Sequence, residues 1–194
     1  MNPVSVFLIA VTLPLLLGGC GEKREGVNLE ELEISGDILN EIAYHKGSPY
    51  TGKSYKLHLN GQKSMEGNYK DGKEDGLWVW WYENGQKEAE VNWKNGKQDG
   101  LHLNWYENGQ KAAEGNNKDG KFDGLHLEWY KNGQKAVEAN YKDGKEEGLE
   151  TQWHENGQKG IEKNYKDGTL VEGSAKYWNS KGEPVNSRKE AGFE

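Results

Sequence analysis

A four-residue phrase, Asn-Gly-Gln-Lys, recurs every 24 residues along most of this chain. Its copies begin at Asn60, Asn84, Asn108, Asn132 and Asn156. A second phrase, Lys-Asp/Asn-Gly-Lys/Thr, keeps the same step between them and begins at Lys70, Lys94, Lys118, Lys142 and Lys166. Self-similarity at a fixed step of this size is typical of a stacked repeat array, in which no unit can bury its apolar side chains alone. The spacing favours a function based on binding over one based on catalysis.

Each unit has the pattern of two β-strands. In the copy at residues 125–141, apolar side chains occupy alternate positions of two runs, at Leu125, Leu127, Trp129, Val137, Ala139 and Tyr141. Alternation bounded by Asn-Gly and Asp-Gly predicts successive hairpins. Glycine-free runs such as 86–95 are long enough for a short helix, but the period and the turn residues favour strands. We predict an all-β fold, an elongated repeat array of antiparallel β-hairpins that forms a single twisted meander sheet.

The turn inside each unit decides which side chains share a face. If Asn132-Gly133 is a two-residue type I′ turn, Trp129 lies with Ala136 and Glu138, and both faces are mixed. If residues 131–133 form a three-residue loop with Gly133 in the left-handed bulge position, the Leu-Leu-Trp run shares a face with Val137, Ala139 and Tyr141. We expect the second register, which makes one face almost wholly apolar, and a similar loop at the Lys-Asp-Gly turns.

The predicted apolar face is the candidate binding surface. A one-layer sheet has no second layer to cover such a face, so it must curl, self-associate or hold a partner. The candidate binding residues are Leu101, Leu103, Trp105, Leu125, Leu127, Trp129 and Tyr141.

The opposite face is predicted to carry two polar ladders, Glu66, Glu90, Glu114, Glu138 and Glu162 beside Asn68, Asn92, Asn116, Asn140 and Asn164. In this register His102 faces Glu114, and His126 faces Glu138. A solvated outer strip explains these ladders better than a binding site.

The two histidines are expected about 10 Å apart, two strand spacings, which is too far to share a zinc ion. Structural pairing is favoured over catalysis, and we expect no enzyme activity, no metal and no cofactor.

The pattern from Asp75 to Lys97, with Asp-Gly-Leu-Trp, Trp-Tyr-Glu-Asn-Gly-Gln-Lys and Asn-Trp-Lys-Asn-Gly-Lys, resembles the MORN (membrane occupation and recognition nexus) repeat variant. The resemblance covers roughly residues 44–184 and implies no catalytic residues. Bacterial proteins of this kind are commonly labelled YwqK-type antitoxins, so neutralising a toxin by direct binding is one alternative role. Choline-binding repeats are also hairpins rich in Trp and Tyr, but their aromatic residues follow the glycine turn, whereas Trp-Tyr precedes Asn-Gly here.

The first residues resemble a bacterial lipoprotein leader. An apolar stretch, residues 4–17, is too short to span a membrane but suits a signal peptide. It ends in Leu17-Gly18-Gly19-Cys20, similar to the lipobox that signal peptidase cuts before a diacylated cysteine. Cys20 is the only cysteine, and lipidation would consume it. No Lys or Arg precedes the apolar core, so a plain secretory signal is the alternative. We expect a membrane-anchored lipoprotein at the outer membrane or surface of a bacterial cell.

Charge and segment order complete the predictions. A net charge of −7 with evenly spread lysines argues against nucleic-acid binding. We predict a signal peptide at 1–19, a tether and N-terminal cap at 20–43, repeats at 44–184 and a tail at 185–194; the stretch 29–44 could be a short helix or a capping strand. The expected function is a lipid-anchored scaffold that binds another protein or itself. A cell-wall carbohydrate-binding module is a further alternative.

Overall fold

A computed structural model describes residues 25–35 and 41–193. Cys20 and the predicted signal peptide lie outside the described residues. Within them the chain is nearly all β, and the one helical segment is a 3-10 turn, Leu29–Glu31. The predicted array of consecutive antiparallel hairpins is confirmed.

The strands that precede the first complete hairpin are β1 (Val27–Asn28), β2 (Glu33–Ser35), β3 (Ile42–His45) and β4 (Ser48–Pro49). The strands of the array are β5 (Gly52–Leu57), β6 (Lys63–Lys70), β7 (Lys73–Glu74), β8 (Gly76–Trp81), β9 (Lys87–Lys94), β10 (Lys97–Trp105), β11 (Lys111–Lys118), β12 (Lys121–Trp129), β13 (Lys135–Lys142), β14 (Lys145–Glu146), β15 (Gly148–Trp153) and β16 (Lys159–Lys166). The last strands are β17 (Thr169–Leu170), β18 (Lys176–Trp178) and β19 (Pro184–Val185).

In the described part of the chain, one 16-stranded sheet contains every strand except β2, β3 and β4, which form a small sheet of their own. Its main order is β1-β5-β6-β8-β9-β10-β11-β12-β13-β15-β16-β18-β19, and the short strands β7, β14 and β17 pair with β6, β13 and β16. All neighbours are antiparallel except β1 and β5, which are parallel. Within the stretch 29–44, the described residues 29–35 and 41–44 form the 3-10 turn and strands rather than an α-helix.

The Asn-Gly-Gln-Lys phrase forms the predicted three-residue loop. Tyr130 N donates to Gln134 O and Gly133 N donates to Tyr130 O, both at 2.8 Å, and Gly133 has a φ of 83°. Asn132 Oδ1 accepts from Gln134 N at 2.9 Å, while its Nδ2 donates to Glu155 O, at 2.7 Å, in the next unit. The same pair of asparagine bonds recurs at the other four copies. The phrase therefore recurs because it both closes a loop and ties that loop to its neighbour.

The Lys-Asp-Gly turns differ from the prediction. Asp143 and Gly144 both have positive φ, 51° and 82°, and Lys142 pairs directly with Lys145. This is a two-residue type I′ turn, for which Asp-Gly is the usual sequence. The three-residue loop expected here was wrong.

A β-bulge next to every Asn-Gly-Gln-Lys loop overturns the expected register. Trp129 pairs with Lys135 but Glu128 pairs with Val137, so Ala136 is an extra residue on β13. The same slip occurs at the equivalent positions of the other hairpins, Ser64, Glu88, Ala112 and Gly160. One extra residue moves every later side chain to the opposite face. The loop was predicted correctly, but the nearly all-apolar face was wrong and both faces are mixed.

The sheet has an outer face and an inner face. The outer face carries the glutamate and asparagine ladders together with the leucines of 77, 101, 125 and 149, since Leu125 pairs with Asn140 and Leu127 with Glu138. The inner face is centred on one column, Ser54, Trp78, His102, His126 and Glu150. These five side chains are only 1–8% exposed, whereas the four leucines are 38–46% exposed. Inner side chains of neighbouring strands therefore cover one another, as expected for a sheet that bulges bend and twist.

Both ends of the array are packed. At the first end Leu32 and Ala43 join Tyr69 and Trp78 in a buried cluster. At the other end Phe193 packs against His154 with the two rings tilted, and 4.7 Å separates their centroids. Terminal units with covering segments are typical of repeat arrays, because an end unit lacks one neighbour.

Candidate binding surfaces

The outer face is uniform from unit to unit. Each of five lysines has its Nζ 5.2–5.9 Å from the ring centroid of a tryptophan in the next unit, in the pairs Lys63–Trp81, Lys87–Trp105, Lys111–Trp129, Lys135–Trp153 and Lys159–Trp178. Each lysine also pairs with the glutamate three residues later, at 2.5–2.7 Å in four units and again between Lys87 and Glu90. Each contact is worth roughly 0.2–1 kcal/mol. Repeated five times, the Lys–Trp contacts link each unit to the next, while the Lys–Glu pairs lie within one unit.

A second ladder runs along the loop edge of the sheet. Tyr82, Tyr106 and Tyr130 donate their hydroxyls to the carbonyl oxygens of Trp105, Trp129 and Trp153, at 2.6–2.7 Å. His58 and His154 occupy the same position and lie 2.7 and 2.9 Å from the carbonyl oxygens of Trp81 and Trp178. Burial raises the pKa of Tyr82 and Tyr130.

The structure separates the predicted binding residues. Leu101, Leu103, Trp105, Leu125, Leu127 and Trp129 lie on the outer face, interleaved with glutamate and asparagine. Leu103, for example, pairs with Glu90 on one side and Glu114 on the other. Tyr141 lies on the inner face beside Phe122, with 5.3 Å between ring centroids. The expectation that Tyr141 shares a face with the leucines was wrong, because the bulge at Ala136 reverses the face of β13.

The predicted His–Glu cross-strand pairs are also wrong. His126 pairs with Ala139, and its Nε2 lies 3.0 Å from Glu128 Oε1 on its own strand. His102 Nδ1 instead accepts from Asn117 Nδ2, at 3.0 Å.

The two imidazoles stack with 5.8 Å between ring centroids, closer than the expected strand spacing. Gly115 lies between them on β11 and has no side chain to separate the rings: a Cβ there would be 2.5 Å from His102 Cε1 and 2.9 Å from His126 Nδ1. Burial and the neighbouring His126 lower the pKa of His102. The hydrogen bond from His126 lowers the pKa of Glu128.

Glycine accommodates a bulky neighbour elsewhere on this face too. A Cβ on Gly67 would lie 2.1 Å from Trp78 Cδ2. Trp78 packs edge-on against Tyr69, with 5.1 Å between centroids, and lies 6.0 Å from Trp80. The inner face is therefore assembled from matched large and small side chains.

The inner face changes character along the array. Its first units are aromatic, through Tyr69, Trp78, Trp80 and Trp93. Its later units are polar and titratable: Glu150 is buried 3.9 Å from Lys163 Nζ, and burial with nearby Glu150 raises the pKa of Tyr165 to about 12. Within residues 25–35 and 41–193, no three His, Cys, Asp or Glu side chains come together as a metal site.

A groove of about 580 Å³ opens on the inner face where the aromatic part meets the polar part. Its lining includes the indoles of Trp80, Trp93 and Trp105, the small side chains of Ala89 and Val91, and the amides of Gln98 and Asn104. The groove exists because large indoles are followed across the strands by small side chains, since Trp80 pairs with Ala89 and Ala89 with Asn104. Sequence reasoning missed it, because the bulge places Trp80 and Trp93 on one face.

Comparison with known proteins supports the repeat assignment. Four segments, residues 74–95, 98–119, 122–143 and 146–167, match the MORN repeat variant. No curated protein matches the chain. The crystal structure of the GtfA/B complex bound to UDP and GlcNAc aligns with 71% of this chain and 26% of that chain, at 10% identity and a TM-score of 0.23. The chain thus spans about a quarter of the length of that structure, 26%.

Proposed function

We propose that this chain is a non-enzymatic, lipid-anchored repeat scaffold that binds another protein in the bacterial envelope through its outer face. The observation that supports the proposal is the uniformity of that face, which presents the same Lys–Trp–Glu group and the same exposed leucine at successive 24-residue steps. A scaffold of MORN repeats is suited to binding proteins or membranes.

A repeated surface suits a partner that contacts several units at once. The exposed leucines occupy one column and alternate with asparagines on the intervening strands, as Leu101 does with Asn116. A mixture of apolar and amide groups is typical of surfaces that exist both free in water and in a complex. A partner that contacts several units gains affinity from each further contact without a new type of contact.

The acid–base candidates are better explained as packing groups. His102 and His126 are buried and stacked on each other, and their hydrogen-bond partners are Asn117 and Glu128. Repeats of this class are generally non-enzymatic. A catalytic pair would need a reacting atom within reach, and neither histidine lines the groove on the inner face.

The anchor is proposed at Cys20, from the lipobox-like Leu17-Gly18-Gly19-Cys20. Two acyl chains would hold the scaffold at a membrane without a spanning helix. In the described part of the chain, no helix is both long and apolar enough to cross a bilayer. A Cys20→Ser variant should lose incorporation of an alkyne fatty acid and remain an unprocessed precursor. Equal labelling of variant and wild type would refute the anchor and leave the outer-face proposal intact.

Outer-face binding can be tested with matched leucine substitutions. The double variant Leu101→Ser/Leu125→Ser removes two leucines from the outer column. The control Leu59→Ser/Leu170→Ser makes the same change at exposed leucines outside that column. Each full-length chain is crosslinked to solubilised envelope proteins, and the captured protein is quantified beside the β-sheet circular dichroism.

We expect wild type and control to capture the same protein and the double variant to capture about tenfold less or weaker still, with its circular dichroism unchanged. Equal capture by all three would contradict binding through the outer face. If the captured protein is a toxin and the chain blocks its activity, the chain acts as an antitoxin, which is the alternative role.

A further inference from the structure

We infer that the groove between Trp80 and Trp93 is a binding site for a neutral carbohydrate of one or two pyranose rings. The groove is lined mainly by inner-face side chains, and Trp105 of the outer-face Lys–Trp ladder also lines it. The exposed leucines of the proposed outer-face interface do not line the groove. Its volume of about 580 Å³ is within the range of roughly 300–1,000 Å³ that small-ligand sites occupy.

The walls of the groove offer flat apolar surfaces. Trp80 and Trp93 contribute indole rings, and Tyr82 and Tyr106 contribute phenol rings. Both hydroxyls are committed to carbonyl oxygens of Trp105 and Trp129, which fixes the rings. Lys131 Nζ lies 5.9 Å from the centroid of the Tyr106 ring, so Tyr106 can offer a ligand only the ring face that Lys131 does not cover. Pyranose rings present C–H groups on one side, and these pack against aromatic rings, whose faces carry partial negative charge.

The polar groups of the groove suit hydroxyls. Asn104 and Gln98 contribute amides and Glu88 a carboxylate, and these three side chains form no hydrogen bond to the described part of the chain. An amide both donates and accepts, and a carboxylate accepts, so together they can satisfy ring hydroxyls. Trp93 Nε1 is buried and also has no acceptor among the described residues.

The charge of the lining selects against anions. No Lys or Arg lines the groove, and its one ionisable acid is Glu88. The lining itself offers no cation to a phosphate or carboxylate ligand, although Lys131 Nζ lies 5.9 Å from the ring centroid of Tyr106 and Lys87 Nζ 5.9 Å from that of Trp105. A neutral sugar needs no cation. Aromatic grooves also take proline-rich peptides, and aromatic rings beside a carboxylate can take a quaternary ammonium. The two free amides favour the sugar over both, because a ring with many hydroxyls uses every donor and acceptor of the site.

The site occurs once in the array. The position of Trp80 is occupied in other units by Lys56, Asn104, Glu128 and Gln152, and the position of Trp93 by Tyr69, Asn117, Tyr141 and Tyr165. Only at this unit do two indoles flank a floor of small side chains. We therefore expect one sugar-binding site per chain.

The test uses full-length protein in a detergent without a sugar headgroup. Cellobiose, maltose and diacetylchitobiose are titrated while tryptophan fluorescence and saturation-transfer NMR are recorded. Tetramethylammonium and a proline-rich peptide are titrated in parallel. The matched variants are Asn104→Ala, at the groove, and Asn116→Ala, on the outer face of the neighbouring strand; both asparagines are exposed, so neither change threatens the fold. Two further variants change Trp80: Trp80→Phe keeps an aromatic ring of smaller area, and Trp80→Ala removes the ring.

We expect at least one disaccharide to bind saturably, with magnetisation transferred mainly to its ring C–H protons. Asn104→Ala should weaken this binding about fivefold or more, the effect of losing a hydrogen bond, and Trp80→Phe should weaken it less than Trp80→Ala. Asn116→Ala should match wild type. The proposal is overturned if none of the three disaccharides binds, if Asn104→Ala and Asn116→Ala behave alike, or if only the peptide or the ammonium ion binds. None of these outcomes bears on protein capture by the outer face, which the leucine variants test separately.

Discussion

The two faces of the sheet follow different rules. On the outer face every unit repeats the same side chains, and each lysine contacts a tryptophan of the next unit and a glutamate of its own. On the inner face the central column reads Ser, Trp, His, His, Glu, and no two successive units have the same surroundings.

The difference teaches how a duplicated unit can diversify. A contact that links one unit to the next needs a lysine in one unit and a tryptophan in the following unit, so a change in either residue weakens that junction. The side chains of the inner face can differ more from unit to unit, because a bulky side chain there needs only a small neighbour. Trp78 packs over Gly67, and the stacked histidines pack over Gly115. Uniform outer contacts therefore maintain the array, while the inner face can acquire a local site such as the groove.

The largest loss of folding stability is expected when a larger side chain replaces an inner-face glycine. Gly67→Val would place a Cβ about 2.1 Å from Trp78 Cδ2, and overpacking of this kind costs about 3 kcal/mol or more. The control Asn116→Val, on the exposed outer face, should change stability by less than about 0.5 kcal/mol. Urea unfolding followed by circular dichroism measures both. Equal midpoints would show that the inner face is not tightly packed.

Replacing an outer-face tryptophan by alanine should lower the stability less than Gly67→Val does, and by the same amount in each unit. Trp105→Ala and Trp129→Ala remove half-buried rings that lie beneath lysines of the preceding unit. We expect each to lower the free energy of unfolding by about 2 kcal/mol, below the value for fully buried tryptophan, and the two values to agree within about 0.5 kcal/mol. A difference well above this would mean that the outer units are not equivalent.

A smaller, pH-dependent effect should arise from His102. Its pKa is lowered in the fold by burial and by His126, so the unfolded chain takes up the proton first, near pH 6.5. Stability is therefore complete above that pH and falls as the pH decreases towards the folded pKa of His102. The groups facing the ring are His126, Asn117 and Phe122, with Glu114 acting in the opposite direction.

His102→Gln should reduce the loss of stability between pH 7 and pH 5. The control is His45→Gln, since His45 lies in β3, outside the hairpin array. The same loss in all three proteins would rule out His102 as its source. Glu128 acts in a lower window: its pKa is lowered by His126, so the stability it contributes is lost below pH 4.5.

The smallest effect is expected from a single outer lysine. Lys111→Ala removes both the contact with Trp129 and the ion pair with Glu114. We expect a loss of about 0.5–1 kcal/mol that shrinks at high salt, because the pair is partly exposed. Lys142→Ala, at the exposed end of β13 beside a turn, is the control and should show almost no change. A loss independent of salt would point to packing of the lysine stem instead of its charge.

The sequence predicted the hairpins and their 24-residue step because Asn-Gly and Asp-Gly mark turns directly. It also predicted Gly133 in the left-handed position. It could not predict the bulge at Ala136, since the equivalent residues are Ser64, Glu88, Ala112 and Gly160, which share no property that marks a bulge. The extra residue, Ala136, moves the later side chains of β13 to the opposite face of the sheet, and Tyr141 is one of them.

Side-chain contacts were missed for a related reason. The expected separation of His102 and His126 came from strand spacing, which ignores the side chain of the strand between them. That residue is Gly115, so the rings meet at 5.8 Å. The signal was present in the sequence as a glycine within an alternating run, but its neighbours are known only once the register is known.

The most direct test of the two-face account is to exchange two units in order, placing residues 101–124 before residues 77–100. Composition is unchanged and every outer ladder stays in phase, but inner neighbours change: Trp78 loses Tyr69, and Asn104 no longer follows Ala89. If outer contacts maintain the array, urea unfolding should remain cooperative, with a loss of about 1–3 kcal/mol from imperfect inner packing. Loss of β-sheet circular dichroism and of cooperative unfolding would contradict the account, because it would show that the order of the inner side chains, and not the outer ladders, holds the array together.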